Sequence, residues 1–141
     1  MEIEIEHGLL RIGDERLPEN RVATSIIGAA IEVQKHLGPG LLETAYETAL
    51  CYELELRGLT FTRQTPVAVR YKDVTVLDAY RADLIVADSV IVEIKAIDNL
   101  IPIHEAQLLT YLRFAGKRLG LLFNFHALPL KAGMRRVVNH L

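Results

Sequence analysis

Asp83, Glu93 and Lys95 are the residues whose types and spacing point most directly to chemistry. They lie in the run Tyr80-Arg-Ala-Asp-Leu-Ile-Val-Ala-Asp-Ser-Val-Ile-Val-Glu-Ile-Lys95, which reads as two strands, Leu84–Val86 and Val90–Lys95, joined by an Ala87-Asp88-Ser89 turn. In a hairpin symmetric about Asp88, Asp83 stands opposite Glu93 with the two Cβ atoms about 5 Å apart. Side chains alternate along a strand, so Lys95 shares the face of Glu93. Two carboxylates and an ammonium then sit together on strands otherwise built of Ile, Leu and Val, where charge is rare unless it is paired or bound to a metal. A hard divalent cation, which prefers oxygen ligands, accounts for the pair. Mg2+ or Mn2+ held there neutralises phosphate charge and lowers the pKa of a bound water. The lysine can orient that water or stabilise charge developing on the phosphate. The plain alternative is a chance pattern, with Glu93 and Lys95 forming an ion pair on an exposed sheet face.

Two other groups stand beside this one. Gly40-Leu-Leu-Glu43-Thr-Ala-Tyr46 opens a helix straight after a Gly-Pro-Gly turn, and Glu43 and Tyr46, three apart, share a helix face. Glu43 also reads as a first-turn acid complementing the helix dipole, and Tyr46 as a core residue. Gln107 and Tyr111, spaced i, i+4, project from one face of the helix that follows the Glu93 strand. An amide and a hydroxyl suit phosphate, a base or a metal-bound water; the other reading is a polar helix shoulder with Tyr111 half in the core. His36, His104, Arg81, Arg135 and Arg136 are equally well explained by turn contacts, a helix start, pairing with acids or a solvated C-terminus.

The elements that must position these residues follow from periodicity. Val22, Ile26, Ile27, Ala30, Val33 and Leu37 recur at helical spacing between Pro18 and Leu37, and Gly38-Pro39-Gly40 ends that helix. A second helix runs from about Leu42 to Arg57, stopped by Gly58. Phe61–Arg70 reads as a strand or strand pair interrupted near Pro66, and Tyr71-Lys72-Asp73 as a turn into Val74–Leu77. After the hairpin, Pro102 opens a helix through Phe114, Leu119–Phe125 has the length of a buried strand, and residues 130–141 form one more short helix or strand. Asn124 is placed to hold an edge of backbone. This order gives an α/β (α+β) chain with one mixed sheet flanked by helices. Residues 1–19 read as an acidic arm or an edge strand, and 20–141 as the domain.

Composition bounds the partners. The 141 residues suffice for one domain with a real core. One cysteine, Cys51, excludes an internal disulfide and any Cys-based zinc or iron–sulfur site. No apolar run approaches the length of a membrane span, and the acidic start is unlike a signal peptide, so the expected location is the cytoplasm. Net charge is −2, but residues 1–19 carry six acids and two bases, leaving the remainder at +2. From Arg113 onward there are six bases and no acid, which fits either a modest basic face or a solvated surface.

Taken together, Asp83, Glu93-Ile94-Lys95 and Gln107-Leu-Leu-Thr-Tyr111 resemble the PD-(D/E)XK nuclease superfamily, the Gln-x-x-x-Tyr addition being typical of its RecB-like branch. Gly40-x-x-Glu43-x-x-Tyr46 is similar to the signature of the small bacterial and archaeal GxxExxY proteins, with support from His36-Leu-Gly-Pro-Gly40, Gly120-Leu-Leu-Phe-Asn124 and Gly133-Met-Arg135-Arg136. The resemblance runs from about Asn20 to Asn139 and implies a restriction-endonuclease-like core. It implies a metal shell of Asp83 and Glu93, completed by Glu43 and the carbonyl of Ile94, with Lys95 as the catalytic lysine. Gln107, Tyr111 and Tyr46 would contact substrate or support the site. Ala82 stands where the superfamily's name has proline, a structural rather than chemical departure, and no iron–sulfur cluster is expected. The implied activity is metal-dependent hydrolysis of phosphodiester bonds in nucleic acid, DNA rather than RNA, with Mg2+ or Mn2+ as cofactor. The alternative is a non-catalytic nucleic-acid-binding or protein-interaction module on the same fold. A homodimer is compatible with either.

Overall fold

The computed structural model describes residues 3–7, as backbone, and 17–140. In chain order the elements are β1 (Ile3–His7), α1 (Glu19–Leu37), α2 (Glu43–Leu56), β2 (Phe61–Pro66), β3 (Val69–Tyr71), β4 (Val74–Val76), β5 (Arg81–Val86), β6 (Val90–Lys95), α3 (Pro102–Ala115), β7 (Leu119–Asn124) and β8 (Met134–Asn139). A 3-10 turn, Leu130–Gly133, leads into β8.

Six strands make one mixed sheet in the order β1-β8-β7-β6-β5-β2. β6 and β7 are parallel and are joined by α3, the crossover that a parallel pair requires; the other neighbours are antiparallel. The α/β restriction-endonuclease-like architecture expected from the sequence is the one observed. β1 is the edge strand on β8, which is the strand alternative for the N-terminal segment. Residues 1, 2 and 8–16 of that segment lie outside the described residues.

Each face of the sheet has its own helical cover. Ala23, Ile26, Ala30 and Val33 of α1 join Leu50 and Leu54 of α2 over Leu84, Val86, Val92 and Ile94. On the other face Leu108 and Leu112 of α3 pack over Ile91, Leu122 and Val137. Because β6 alternates, Val92 and Ile94 serve the first core while Ile91, and with it Glu93 and Lys95, face α3. Gly120 of β7 lets α3 come close. A Cβ there would stand 2.9 Å from Leu108 Cδ1 and Cγ, so any side chain would force a shift of Leu108, on the helix that carries Gln107 and Tyr111.

Three elements differ from the sequence expectations. β5 begins at Arg81, three residues before the expected strand, so Asp83 lies inside a strand rather than ahead of one. β3 and β4 do not join the main sheet; they pair only with each other, as a ribbon of largely exposed residues. The C-terminal segment is both helical turn and strand, and β8 is almost wholly buried between β7 and β1. Its adjacent bases Arg135 and Arg136 do not mark it as buried, yet Arg136 is 3 % exposed and its Nη2 donates to Asn20 Oδ1 at 2.7 Å.

Candidate active site

The site sits where the β5–β6 hairpin comes apart. Its closed end is regular. Ala87 and Asp88 adopt left-handed φ values of 52° and 50°, as a tight hairpin turn requires, and the ladder runs Val86↔Val90, Ile85↔Ile91, Leu84↔Val92. There the backbone pairing stops and side chains take it over. Ile94 N–H donates to Asp83 Oδ2 at 2.8 Å, and Asp83 N–H points to Glu93 Oε2 at a long 3.4 Å. The symmetric register places Asp83 opposite Glu93, as the hairpin reading required.

The alternation of backbone groups along a strand fixes one further donor. Lys95 C=O accepts from Phe125 N–H on the β7 side at 2.9 Å. Ile94, one residue earlier, therefore turns both its N–H and its C=O toward β5, the side on which Asp83 lies. Asn124, paired with Lys95 in register, holds the chain leaving β6: its Oδ1 accepts from Ile97 N–H at 3.1 Å and its Nδ2 donates to Ile97 C=O at 2.9 Å. That is the edge-holding role its sequence position suggested.

A cleft of about 140 Å³ opens at this end, lined by Glu43, Asp83, Glu93, Lys95, Gln107 and Tyr111, together with Tyr80, Arg81, His104 and Leu122. Six of the expected site side chains are thus brought to one place from α2, β5, β6 and α3. Tyr46 is not among them. It is fully buried, its hydroxyl donates to Gly38 C=O at 2.6 Å and accepts from Leu41 N–H at 3.1 Å, and its ring stacks on Phe125 at 4.7 Å. The expectation that Tyr46 contacts substrate does not fit this placement. Tyr46 instead closes the Gly38–Leu41 turn that sets the start of α2, and so positions Glu43. Ile94 keeps its side chain in the core and offers only its carbonyl.

The electrostatics are those of a site lacking its counter-charge. Glu93 is 7 % exposed, and its Oε1 is buried with no hydrogen-bond partner. Burial foremost, with the neighbouring Glu43 and Glu47 charges adding to it against the pull of Lys95, pushes the Glu93 carboxyl up to about 8. Asp83 is also raised, by burial first, although its bonds from Ile94 and Gln64 act the other way. Tyr111 is raised by burial and by the two carboxylates it faces, so it stays a hydroxyl donor. His104 is lowered by burial and by Lys95; neutral, its Nδ1 accepts from Ile101 N–H at 3.0 Å.

An orphaned buried carboxylate oxygen beside a second carboxylate and a turned-in carbonyl is a donor set that fits a hard divalent cation. Among the described residues, however, no three His, Cys, Asp or Glu side chains are already gathered closely enough to hold one. Glu43 lines the cleft from the helix start, where it is exposed.

Sequence reasoning missed Glu47 and Gln64. Glu47, one turn beyond Glu43, is 7 % exposed and accepts from Arg63 Nη2 at 2.8 Å and Gln64 Nε2 at 2.7 Å; Gln64 Nε2 also lies 3.2 Å from Asp83 Oδ1. The i, i+4 spacing of Glu43 and Glu47 was the available signal. Of the six bases from Arg113 onward, three are held in ion pairs, Arg118 with Glu19, Lys117 with Asp88 and Arg135 with Glu105. His36 bonds to Glu32 and lines an apolar groove between α1 and α2, away from the cleft. Arg81 remains exposed at the cleft rim. Cys51, its thiol pushed up to about 11 chiefly by burial, stays protonated in the core.

The sequence model of the PD-(D/E)XK nuclease superfamily matches residues 20–137, a span that contains every cleft residue. No curated protein and no solved structure matches the chain. No helix among the described residues is long and apolar enough to cross a membrane.

Proposed function

Because the chain belongs to the PD-(D/E)XK nuclease superfamily, we propose that it hydrolyses phosphodiester bonds in nucleic acid with Mg2+ or Mn2+ as cofactor, and that DNA is preferred to RNA. The observation that carries this reading is Glu93 Oε1, buried without a partner beside Asp83 and in the same cleft as Lys95. Ionising a carboxyl so desolvated costs stability unless a cation joins it. Asp83 and Glu93 would hold the ion, with the Ile94 carbonyl and Glu43 completing the oxygen set. The ion would supply positive charge against the phosphate and lower the pKa of the attacking water.

The chain's own residues do the rest. Lys95 holds its ammonium in the cleft on the face of Glu93, where it orients the water or meets charge developing on the phosphate. Gln107 and Tyr111, one helical turn apart on α3, donate to the nucleic-acid backbone and fix the scissile phosphate over the carboxylates. The finer placement, among GxxExxY proteins with a Gln-x-x-x-Tyr motif, rests on Gly40, Glu43, Tyr46, Gln107 and Tyr111 as sequence motifs.

A second reading has one observation in its favour: no three-carboxylate cluster is preassembled among the described residues. On that reading the chain binds nucleic acid or a protein without turnover. Calorimetric titration of Mn2+ into the wild-type chain and into Asp83→Ala, followed by a cleavage screen over single-stranded DNA, duplex DNA and RNA, separates the two. Saturable binding lost in the variant, with cleavage of at least one substrate, is expected. A wild-type chain that binds no Mn2+ and cuts none of the substrates overturns the nuclease reading.

A further inference from the structure

Gln64 breaks the sheet at the one position where breaking it reaches the site. β2 and β5 pair as Phe61↔Val86, Thr62↔Ile85 and Arg63↔Leu84, then resume at Thr65↔Ala82 and Pro66↔Arg81. The pair left out is Gln64 with Asp83. Gln64 has φ +48°, a left-handed backbone that a residue with a Cβ adopts only under strain. Successive side chains of a regular strand point to opposite faces. Here the left-handed turn sends both Arg63 and Gln64 to the same carboxylate: Arg63 Nε and Nη2 reach Glu47 Oε2 at 3.1 and 2.8 Å, and Gln64 Nε2 reaches Glu47 Oε1 at 2.7 Å.

The amide nitrogen of Gln64 also faces Asp83 Oδ1 at 3.2 Å. An amide has two N–H donors, enough to serve one oxygen of each carboxylate at once. Asp83 is then held from two sides, by Gln64 on Oδ1 and by Ile94 N–H on Oδ2. Both donors are neutral. A lysine or arginine at this position would bridge the two carboxylates as well, but it would also satisfy the charge a cation needs. Glu47 has its own cation, Arg63, so it anchors the amide without drawing on the site.

We propose that Gln64 is a positioning residue, whose uncharged amide ties Asp83 to Glu47 and fixes the Asp83 carboxylate for a cation without neutralising it. The inference rests on the nuclease reading above and names a support that no motif of that reading contains. It explains why a strained residue is kept within a strand: relaxing Gln64 to an extended conformation would turn its amide away from Glu47.

Gln64→Gly tests this, because glycine adopts φ +48° freely and removes only the side chain. Melting temperature is expected to hold or rise. In the metal-free protein, hydrogen exchange at the Ile94 amide is expected to quicken as Asp83 loosens, and Mn2+ affinity by calorimetry to fall about 10–100-fold, the usual loss when a ligand's outer support is removed. Gln64→Lys separates orientation from charge: the Ile94 amide is expected to stay protected while Mn2+ binding is lost. Unchanged Ile94 exchange and unchanged Mn2+ affinity in Gln64→Gly overturn the inference, as does wild-type Mn2+ affinity in Gln64→Lys; the nuclease reading survives either result. A wild-type chain that binds no Mn2+ and cuts nothing overturns the nuclease reading instead, and the Ile94 amide then decides the link between Gln64 and Asp83.

Discussion

The two ends of the β5–β6 hairpin are made of the same strands and obey opposite rules. At the closed end Val86, Val90 and Ile91 are fully buried, the backbone ladder is intact, and the turn backbone matches the twist of the strands. At the open end backbone pairing gives way to Asp83 and Glu93, and a carboxylate oxygen is buried without a partner. One end lowers the free energy of the fold by burying apolar surface and keeping its backbone ladder. The other raises it by desolvating charge, and it is tolerated because it is bolted to the first. The contrast teaches that this sheet is built for stability up to Leu84 and Val92 and gives stability up beyond them.

The strongest way to break the contrast is Glu93→Gln, which keeps shape and removes charge. Hydrolysis is expected to fall at least about 100-fold, the scale for loss of a principal transition-state electrostatic contact, with folding retained; wild-type turnover would remove Glu93 from the chemistry. The same carboxylate sets a pH signature. Its value rises from 4.5 in the unfolded chain to about 8 in the folded one, so between those limits the folded protein holds a proton that the unfolded protein releases. Metal-free stability is therefore expected to be greatest below pH 4.5 as far as this group is concerned, and to decline as pH rises to about 8. Melting temperature against pH checks it: Glu93→Gln should flatten the decline, and saturating Mn2+ should oppose it.

Away from the open end the effects should be largely structural. Ile91→Ala empties a fully buried position and is expected to cost about 2–5 kcal/mol in denaturant unfolding, with Mn2+ affinity unchanged at temperatures where the variant is folded. Tyr46→Phe removes the hydroxyl that joins Gly38 to Leu41 and is expected to cost about 1 kcal/mol. A large loss of substrate affinity with stability and Mn2+ affinity both unchanged would instead return Tyr46 to the substrate. Smallest of all, Lys117→Ala releases the exposed Asp88 at the hairpin turn and should change stability by less than about 1 kcal/mol.

Much of this was legible in the chain. Periodicity located α1, α2 and α3, and the hairpin symmetry about Asp88 set Asp83 against Glu93, because local spacing and alternation are short-range properties. Residues whose roles depend on partners far along the chain were not legible. Arg136 looked like a solvated base and is buried against Asn20; Tyr46 read equally as core and as a substrate contact, and only the fold put it in the core; β3–β4 carried a strand pattern and stayed off the main sheet.

The sequence by itself determined which side chains could form a carboxylate–lysine site and on which strands they had to lie, since strand alternation leaves Glu93 and Lys95 one face. Tertiary structure alone decided that α3 would cover that face while the start of α2, on the other side of the sheet, brought Glu43 to the same cleft, that the sheet would part at Asp83, and that Gln64 would leave the extended conformation to join Asp83 to Glu47. Those outcomes rest on contacts between segments distant in sequence, whose balance of burial, strain and unpaired charge no local pattern records.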